Sequence, residues 1–359
     1  MLNTIRMWLN RRTRARVGTA CLLLLGAALV LLPGSGWAYG RAFAGPPSGL
    51  AQAYLPLIEN HLPPTVTPTP TLPSVPTITP EPGNREQARR LYLDEYLASE
   101  GTAIEWSGNH ASCNPGNTAA AFRNAVLRRV NYFRAMAGLP LVTLNEEYNR
   151  KAQAAALMMS ANRTLSHDPS SSWTCYSAEG DEAAGKSNLY LGRMGWEAIS
   201  GYVLEDGELG HRRWILYPQT QQMGTGDVPA TAGYMRSNTL WVFDSHMWDT
   251  RPATRDGFVA WPPPGYVPYQ VVNEHWSFSY PGADFSNTSV TVTSGGAPVA
   301  VSVRRLTNGY GENTLAWVMA DLPPGSAGDV SYHIELRRVR FGGADHDFAY
   351  DVTLFDPTQ

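Results

Sequence analysis

The sequence is poor in cysteine, modest in charge and without a long apolar run. Three cysteines stand in 359 residues. None forms a C-x-x-C pair, which argues against a zinc knuckle or a dithiol redox pair. Charged residues make up 16% of the chain against 43% hydrophobic, so the chain as a whole is not of the disordered type. The net charge of -3 is unevenly placed. Residues 1–44 hold Arg6, Arg11, Arg12, Arg14, Arg16 and Arg41 and no acid, and without these six the remainder stands at -9. No stretch interleaves Lys and Arg with aromatics, and a body this acidic repels a phosphate backbone, so nucleic acid is not an expected partner. No internal repeat is present. H-E-x-x-H, G-x-S-x-G and a phosphate-cradling Gly-rich loop are also missing, and with them the commonest marks of hydrolases and nucleotide enzymes.

What is there begins at the N-terminus. A basic stretch ends at Arg16, an apolar run follows from Cys21 to Leu32, and Pro33 and Gly34 break it. The run is short for a membrane span and right for the core of an export signal. Segment 1–44 is therefore expected to be a signal peptide or an N-terminal membrane anchor, which places the rest outside the cell or at its surface. In that oxidising setting Cys113 and Cys175, the two cysteines beyond the segment, are expected to pair. Residues 45–84 read as a linker. Their core, LPPTVTPTPTLPSVPTITPEPG, is nearly all Pro, Thr and small apolar residues, and proline favours extended, donor-poor backbone.

Residues 85–117 read as a helical lead-in, with a helix over Arg85 to Leu97 whose apolar positions are Leu91, Leu93 and Leu97. A second helix starts near Thr118. Phe122, Val126, Val130 and Phe133 share one of its faces, Arg123, Arg128 and Arg129 lie largely elsewhere, and Gly138 and Pro140 end it. Asn145 is placed to cap a third helix, with Glu146 and Glu147 in the first turn, where the helix dipole favours acids. Tyr148, Ala152, Ala155 and Met159 form its core face. Another helix is expected from Trp196 to Leu204, with Ile199 and Val203 inward, and TLWVF at 239–243 is a short strand. The pattern then changes. WPPPGYVP reads as a rigid connector, and WSFSY, SVTVT, PVAVSV, TLAWVM, YHIEL and YDVTLF alternate with period two. Such runs between turn residues predict an antiparallel β-sandwich of immunoglobulin-like type over 251–359, of which 258–359 is expected to fold on its own.

The residues left for chemistry are His167, Glu179, Glu182, Glu197, Glu205 and His211. Here a resemblance becomes specific. RRVNYFRAMAGLPLVTLNEEYNRKAQAAALMM, with its N-x-x-R helix before an Ala-rich one, is similar to the opening of a CAP domain, the module of the cysteine-rich secretory protein, antigen 5 and pathogenesis-related-1 superfamily. Ser166-His167, Ser187-Asn188-Leu189, the helix running to Glu205, Gly210-His211-Arg212 with Trp214-Ile215-Leu216, and Met223-Gly224-x-Gly226 continue the likeness, which covers about a third of the chain. It implies an α+β fold: a CAP-type α-β-α sandwich over 118–250, followed by the β-sandwich.

In that family two His and two acids face each other across a cleft. The resemblance places His167, Glu205 and His211 there as candidate metal ligands, with Ser187 at the rim where the pattern has Glu. A set one carboxylate short is expected to hold a divalent cation such as zinc only weakly, unless Glu179 or Glu182 reaches in. The function implied is an extracellular binding or interaction module for a small lipid-like, peptide or glycan ligand. One alternative is a secreted hydrolase, a protease or cell-wall enzyme, using the same cleft. A second is a structural surface protein. Asp244-Ser245-His246 contains hydrolase residue types, but adjacency is not triad geometry, and it reads as a loop.

Overall fold

A computed structural model describes residues 80–81, 83–322 and 328–359, which fall in one compact unit. The expected export segment and nearly all of the Pro/Thr-rich stretch lie outside the described residues. Among those described, no helix is long and apolar enough to cross a membrane.

Asn84 opens helix α1, Arg85–Leu91, by accepting the Gln87 N–H. The helix then widens into one π turn, Tyr92–Tyr96, and ends in a tight turn, Leu97–Ser99. This widening changes which residues point inward. Tyr92 and Tyr96 are buried, while Leu97, expected on the core face, is exposed. The two tyrosines stack on each other and meet Tyr132 and Phe133 edge-on, which is how this segment is held to the body of the protein.

Helix α2, Ala120–Met136, buries Phe122, Val126, Val130 and Phe133 as their spacing requires, and Gly138 follows it with a left-handed φ of 68°. Asn145 caps α3, Glu146–Asn162, by accepting the Glu147 and Tyr148 N–H groups. Ser177 caps α4, Ala178–Ala184. Helices α5, Gly195–Val203, and α6, Gly210–Ile215, complete the set. Between them lies a four-stranded sheet made of β1 (Thr143–Leu144), β2 (Ser187–Leu191), β3 (Gln222–Val228) and β4 (Ser237–Trp241), in the order β1-β3-β4-β2. Strand alternation divides the core. Leu240 joins the cluster of Phe122, Ile199 and Tyr202, while its neighbour Trp241 joins Leu189, Ala155 and Met159 on the other face. The result is an α-β-α sandwich. Gly224 and Gly226 serve this packing. A Cβ on Gly226 would lie 2.2 Å from the backbone of Ala152, and one on Gly224 would lie 2.5 Å from Tyr148, so the Met-Gly-x-Gly stretch lets α3 lie close on β3.

The C-terminal part is a β-sandwich. One sheet contains β5 (Val259–Trp261), β7 (His275–Tyr280), β10 (Val301–Arg305) and β11 (Asn313–Met319), in the order β10-β11-β7-β5. The other contains β6 (Gly265–Pro268), β8 (Ser289–Ser294), β9 (Ala297–Val299), β12 (Val330–Phe341) and β13 (Ala344–Phe355), in the order β6-β13-β12-β8-β9. The expected connector WPPPGYVP is more than a spacer. Its Trp261 ends β5, and its GYVP portion forms β6, which runs parallel to β13 at the sheet edge, where proline is tolerated. Trp276 and Trp317 are fully buried as alternation predicts.

The two parts share one continuous apolar cluster, in which Phe133 of α2 meets Trp261 of β5 at 5.1 Å between ring centroids. Helix α1 also reaches across. Arg85 bonds Asp329 at 3.0 Å and lies over the Phe355 ring. The change of pattern near residue 251 is thus a change of secondary structure, not a break in the core.

Candidate functional site

Three candidate residues meet around the segment that joins α4 to β2. His167 lies in the loop after α3, and its Nδ1 is 2.8 Å from the carbonyl oxygen of Ala184, the last residue of α4. Ser187 begins β2. The next residue, Asn188, donates through Nδ2 to the carbonyl of His211 at 3.1 Å. His211 sits in the first turn of α6, its ring 5.0 Å from that of the buried Tyr202. Burial is the main cause that lowers the pKa of His167, and positive charge on His211 adds to it. The His167 side chain is open to solvent, yet its surroundings desolvate it enough to lower its pKa.

Proton accounting follows from the partners. A carbonyl only accepts, so His167 in its neutral form carries its proton on Nδ1. His211 places Nδ1 2.6 Å from Glu205 Oε2. That carboxylate orients the ring and makes Nε2 the acceptor nitrogen. Glu205 Oε1 accepts the Arg212 N–H at 3.0 Å, so both oxygens of Glu205 are engaged, and the residue anchors the first turn of α6 as well as the imidazole.

This changes the expected metal set. Glu205 acts through His211 and is not a free ligand. Ser187 is not at the rim with its side chain in solvent; it is 5% exposed, and its hydroxyl is buried without a hydrogen-bond partner. Glu179 pairs with Arg150, and Glu182 with Lys151 and Lys186, so neither supplies the missing acid. Glu197 pairs with Arg236. Among the described residues no group of three His, Cys, Asp or Glu is arranged to hold a metal ion. The residues do not fit a His167–Glu205–His211 zinc site: at most two imidazole nitrogens remain, and a stable zinc site takes three or four protein ligands.

Nor is a triad assembled at Asp244-Ser245-His246. Asp244 Oδ2 and Ser245 Oγ both face the same nitrogen, His246 Nδ1, at 3.1 and 3.5 Å, whereas a relay needs acid and nucleophile on opposite nitrogens. Asp244 is buried and instead accepts the backbone N–H groups of Gln221 and Gln222. It closes the turn that leads into β3.

A model of the cysteine-rich secretory protein family matches residues 127–245, the stretch that holds α3 to β4 and every residue of this site. This segment is therefore a CAP domain. Golgi-associated plant pathogenesis-related protein 1 of Homo sapiens is 27% identical over 121 residues, which are 31% of this chain and 76% of that protein. Among solved structures, venom allergen-like protein 4 of Schistosoma mansoni is 14% identical and overlaps 38% of this chain and 97% of its own, with a TM-score of 0.26. The copper resistance protein PcoC of Escherichia coli, also 14% identical, overlaps 29% of this chain and 99% of its own, with a TM-score of 0.22. Superpositions this loose carry no argument about residues.

Within the CAP domain the motif residues divide into site and scaffold. Asn131 of the N-x-x-R helix holds Val142 through both its N–H and its carbonyl. Arg134 is fully buried and donates to the carbonyls of Pro140, Ile215, Tyr217 and Thr220. Arg129, expected on the polar face of α2, is also fully buried, bonded to Ser99, Ser200 and the Tyr96 carbonyl and stacked on the Tyr96 ring. Helical spacing alone placed it outside, because nothing in the spacing shows that the α1 segment folds over it.

The CAP domain is expected to lose stability in mild acid. Burial lowers the pKa of His110, which is stacked on Tyr234 and bonded to Ser160. Burial is also the main cause of the lowering at His167, aided by His211 and opposed by the Ala184 carbonyl. An unfolded imidazole therefore takes its proton first as pH falls. The contribution of these residues is intact above about 6.5 and is lost as pH drops through the lowered folded-state values. His333 works in the opposite sense, raised by Asp351, but it is largely exposed and its contribution is screened. Melting at pH 7.5 and 5.5 is expected to show the lower Tm in acid. A His110→Asn/His167→Asn double variant should show much less of that difference, and an undiminished difference would assign it to other groups.

Proposed function

We propose that the protein acts outside the cell as a binding module, taking a small lipid-like, peptide or glycan ligand at the His167–His211 site of its CAP domain. The observation that carries this reading is the Glu205–His211–Asn188 arrangement, which fixes one imidazole in a single orientation beside a second, half-sheltered one. An imidazole held in one orientation by a carboxylate suits recognition of a donor group on a ligand. The hydrolase alternative needs an activated nucleophile, and the Ser187 hydroxyl has no base bonded to it. An extracellular setting is supported by the N-terminal apolar run after five arginines, and by the Cys113–Cys175 bridge.

Native mass spectrometry of the protein collected from culture medium tests the proposal. A bound organic ligand is expected on the unaltered chain. It should be lost from His211→Ala while the variant remains folded by circular dichroism. Ester or peptide hydrolysis that disappears in His167→Ala would overturn the reading in favour of an enzyme. No adduct from either protein, with both equally folded, would leave the histidines as scaffold.

A further inference from the structure

Arg212 and Arg213 leave α6 toward the β-sandwich, away from His211. They are 1% and 4% exposed. Arg212 donates to the Val203 carbonyl at 2.6 Å, the His275 carbonyl at 2.8 Å and Ser277 Oγ at 3.2 Å. Arg213 donates to the carbonyls of Thr307 at 2.8 Å and Glu312 at 3.1 Å. All of these acceptors are neutral oxygens. Each guanidinium also keeps one buried N–H group without a partner, on Nη2 of Arg212 and on Nε of Arg213.

Both side chains line one cavity of about 10 Å³, together with Ser277, Ser279 and Glu312, and this is room for a single water-sized occupant. Glu312 is the one carboxylate in the lining, and Arg251 binds both of its oxygens. Glu205 and Glu208 favour the two arginine charges from a distance, but their own bonds go to His211, to the Arg212 backbone and to the Thr307 N–H. Arg213 also lies over the Tyr310 ring; a water in the cavity could accept from the unpartnered donors, yet it would give the two desolvated cations no anion in direct contact. A monoatomic anion does both. We propose that this cavity binds one small halide-type anion, chloride in extracellular fluid, as a resident link between the CAP domain and the β-sandwich.

Thermal unfolding of the full chain in sodium chloride and in sodium gluconate at equal ionic strength tests it. Chloride is expected to raise Tm by roughly 3 °C beyond gluconate at ten times its Kd, and the gain should grow with the logarithm of concentration. Arg213→Lys keeps the charge and removes the Nε–H donor, so its chloride-specific gain is expected to vanish. If that variant does not fold, crystals of the unaltered protein grown with bromide decide the matter, because an anomalous peak should lie within hydrogen-bond distance of Arg212 Nη2 and Arg213 Nε. Equal Tm in the two salts with no such peak would mean water or nothing in the cavity and would overturn the proposal. A chloride gain kept in full by folded Arg213→Lys would overturn it too.

Discussion

Replacing Arg134 with methionine is expected to destabilise the protein by about 4 kcal/mol, a fall in Tm on the order of 10 °C. The side chain crosses the interior of the CAP domain and donates to Pro140, Ile215, Tyr217 and Thr220. These carbonyls belong to the turn after α2, to the last residue of α6 and to the turn after it, where only that of Tyr217 has a further backbone donor, the Thr220 N–H. Methionine fills similar volume but donates nothing, and a buried carbonyl left unpaired costs about 1–3 kcal/mol. Burial pushes the arginine pKa down to about 9, against the opposing pull of Asp244, so the cation persists at neutral pH. Arg134→Lys should recover only part of the loss, since one ammonium cannot span the acceptors of a planar fork. Urea unfolding of the three proteins gives the comparison. A methionine variant within 1 kcal/mol of the unaltered chain would show that water serves these carbonyls as well as the guanidinium does.

Loss of the Cys113–Cys175 bridge is expected to be comparably damaging. The bridge closes a span of 62 residues with a Cα–Cα distance of 5.0 Å, and closure of such a loop restricts the unfolded chain by about 4 kcal/mol in the chain-entropy model. In the folded protein it ties the loop before α2 to the loop after His167. The same loop holds His110, whose carbonyl accepts the Cys113 N–H, and Trp106, which packs with Cys175 on Ala156, Leu157 and Val228. A Cys113→Ser/Cys175→Ser double variant should melt on the order of 10 °C lower. Alkylation of the denatured, unreduced protein should add no mass. Two labelled thiols, or an unchanged Tm in the double variant, would remove the bridge from the account of stability.

Much of the helical architecture was legible because it depends on neighbours in sequence. Asn145 caps its helix through N–H groups two and three residues on, and Phe122, Val126, Val130 and Phe133 share a face by helical geometry alone. The strands of the sandwich were legible for the same reason, since alternation is local. Leu97 and Arg129 show where local reasoning stops. A π turn rotates Tyr96 inward in place of Leu97, and the same segment then covers Arg129; both outcomes depend on a contact between segments some 30 residues apart.

The site divides in the same way. The resemblance to the CAP pattern singled out His167, Ser187, Glu205 and His211, and counting paired the cysteines once only two remained beyond the expected export segment. Which atoms those residues use was decided by tertiary structure. Glu205 turned out to hold His211 and the Arg212 N–H, Ser187 turned inward, and Glu179 and Glu182 were taken up by Arg150, Lys151 and Lys186. Likewise Gly-His-Arg is one run in sequence, but a helix turns successive side chains by about 100°. His211 therefore faces Glu205 while Arg212 and Arg213 face the β-sandwich, and that division exists only once the two parts of the chain are packed together.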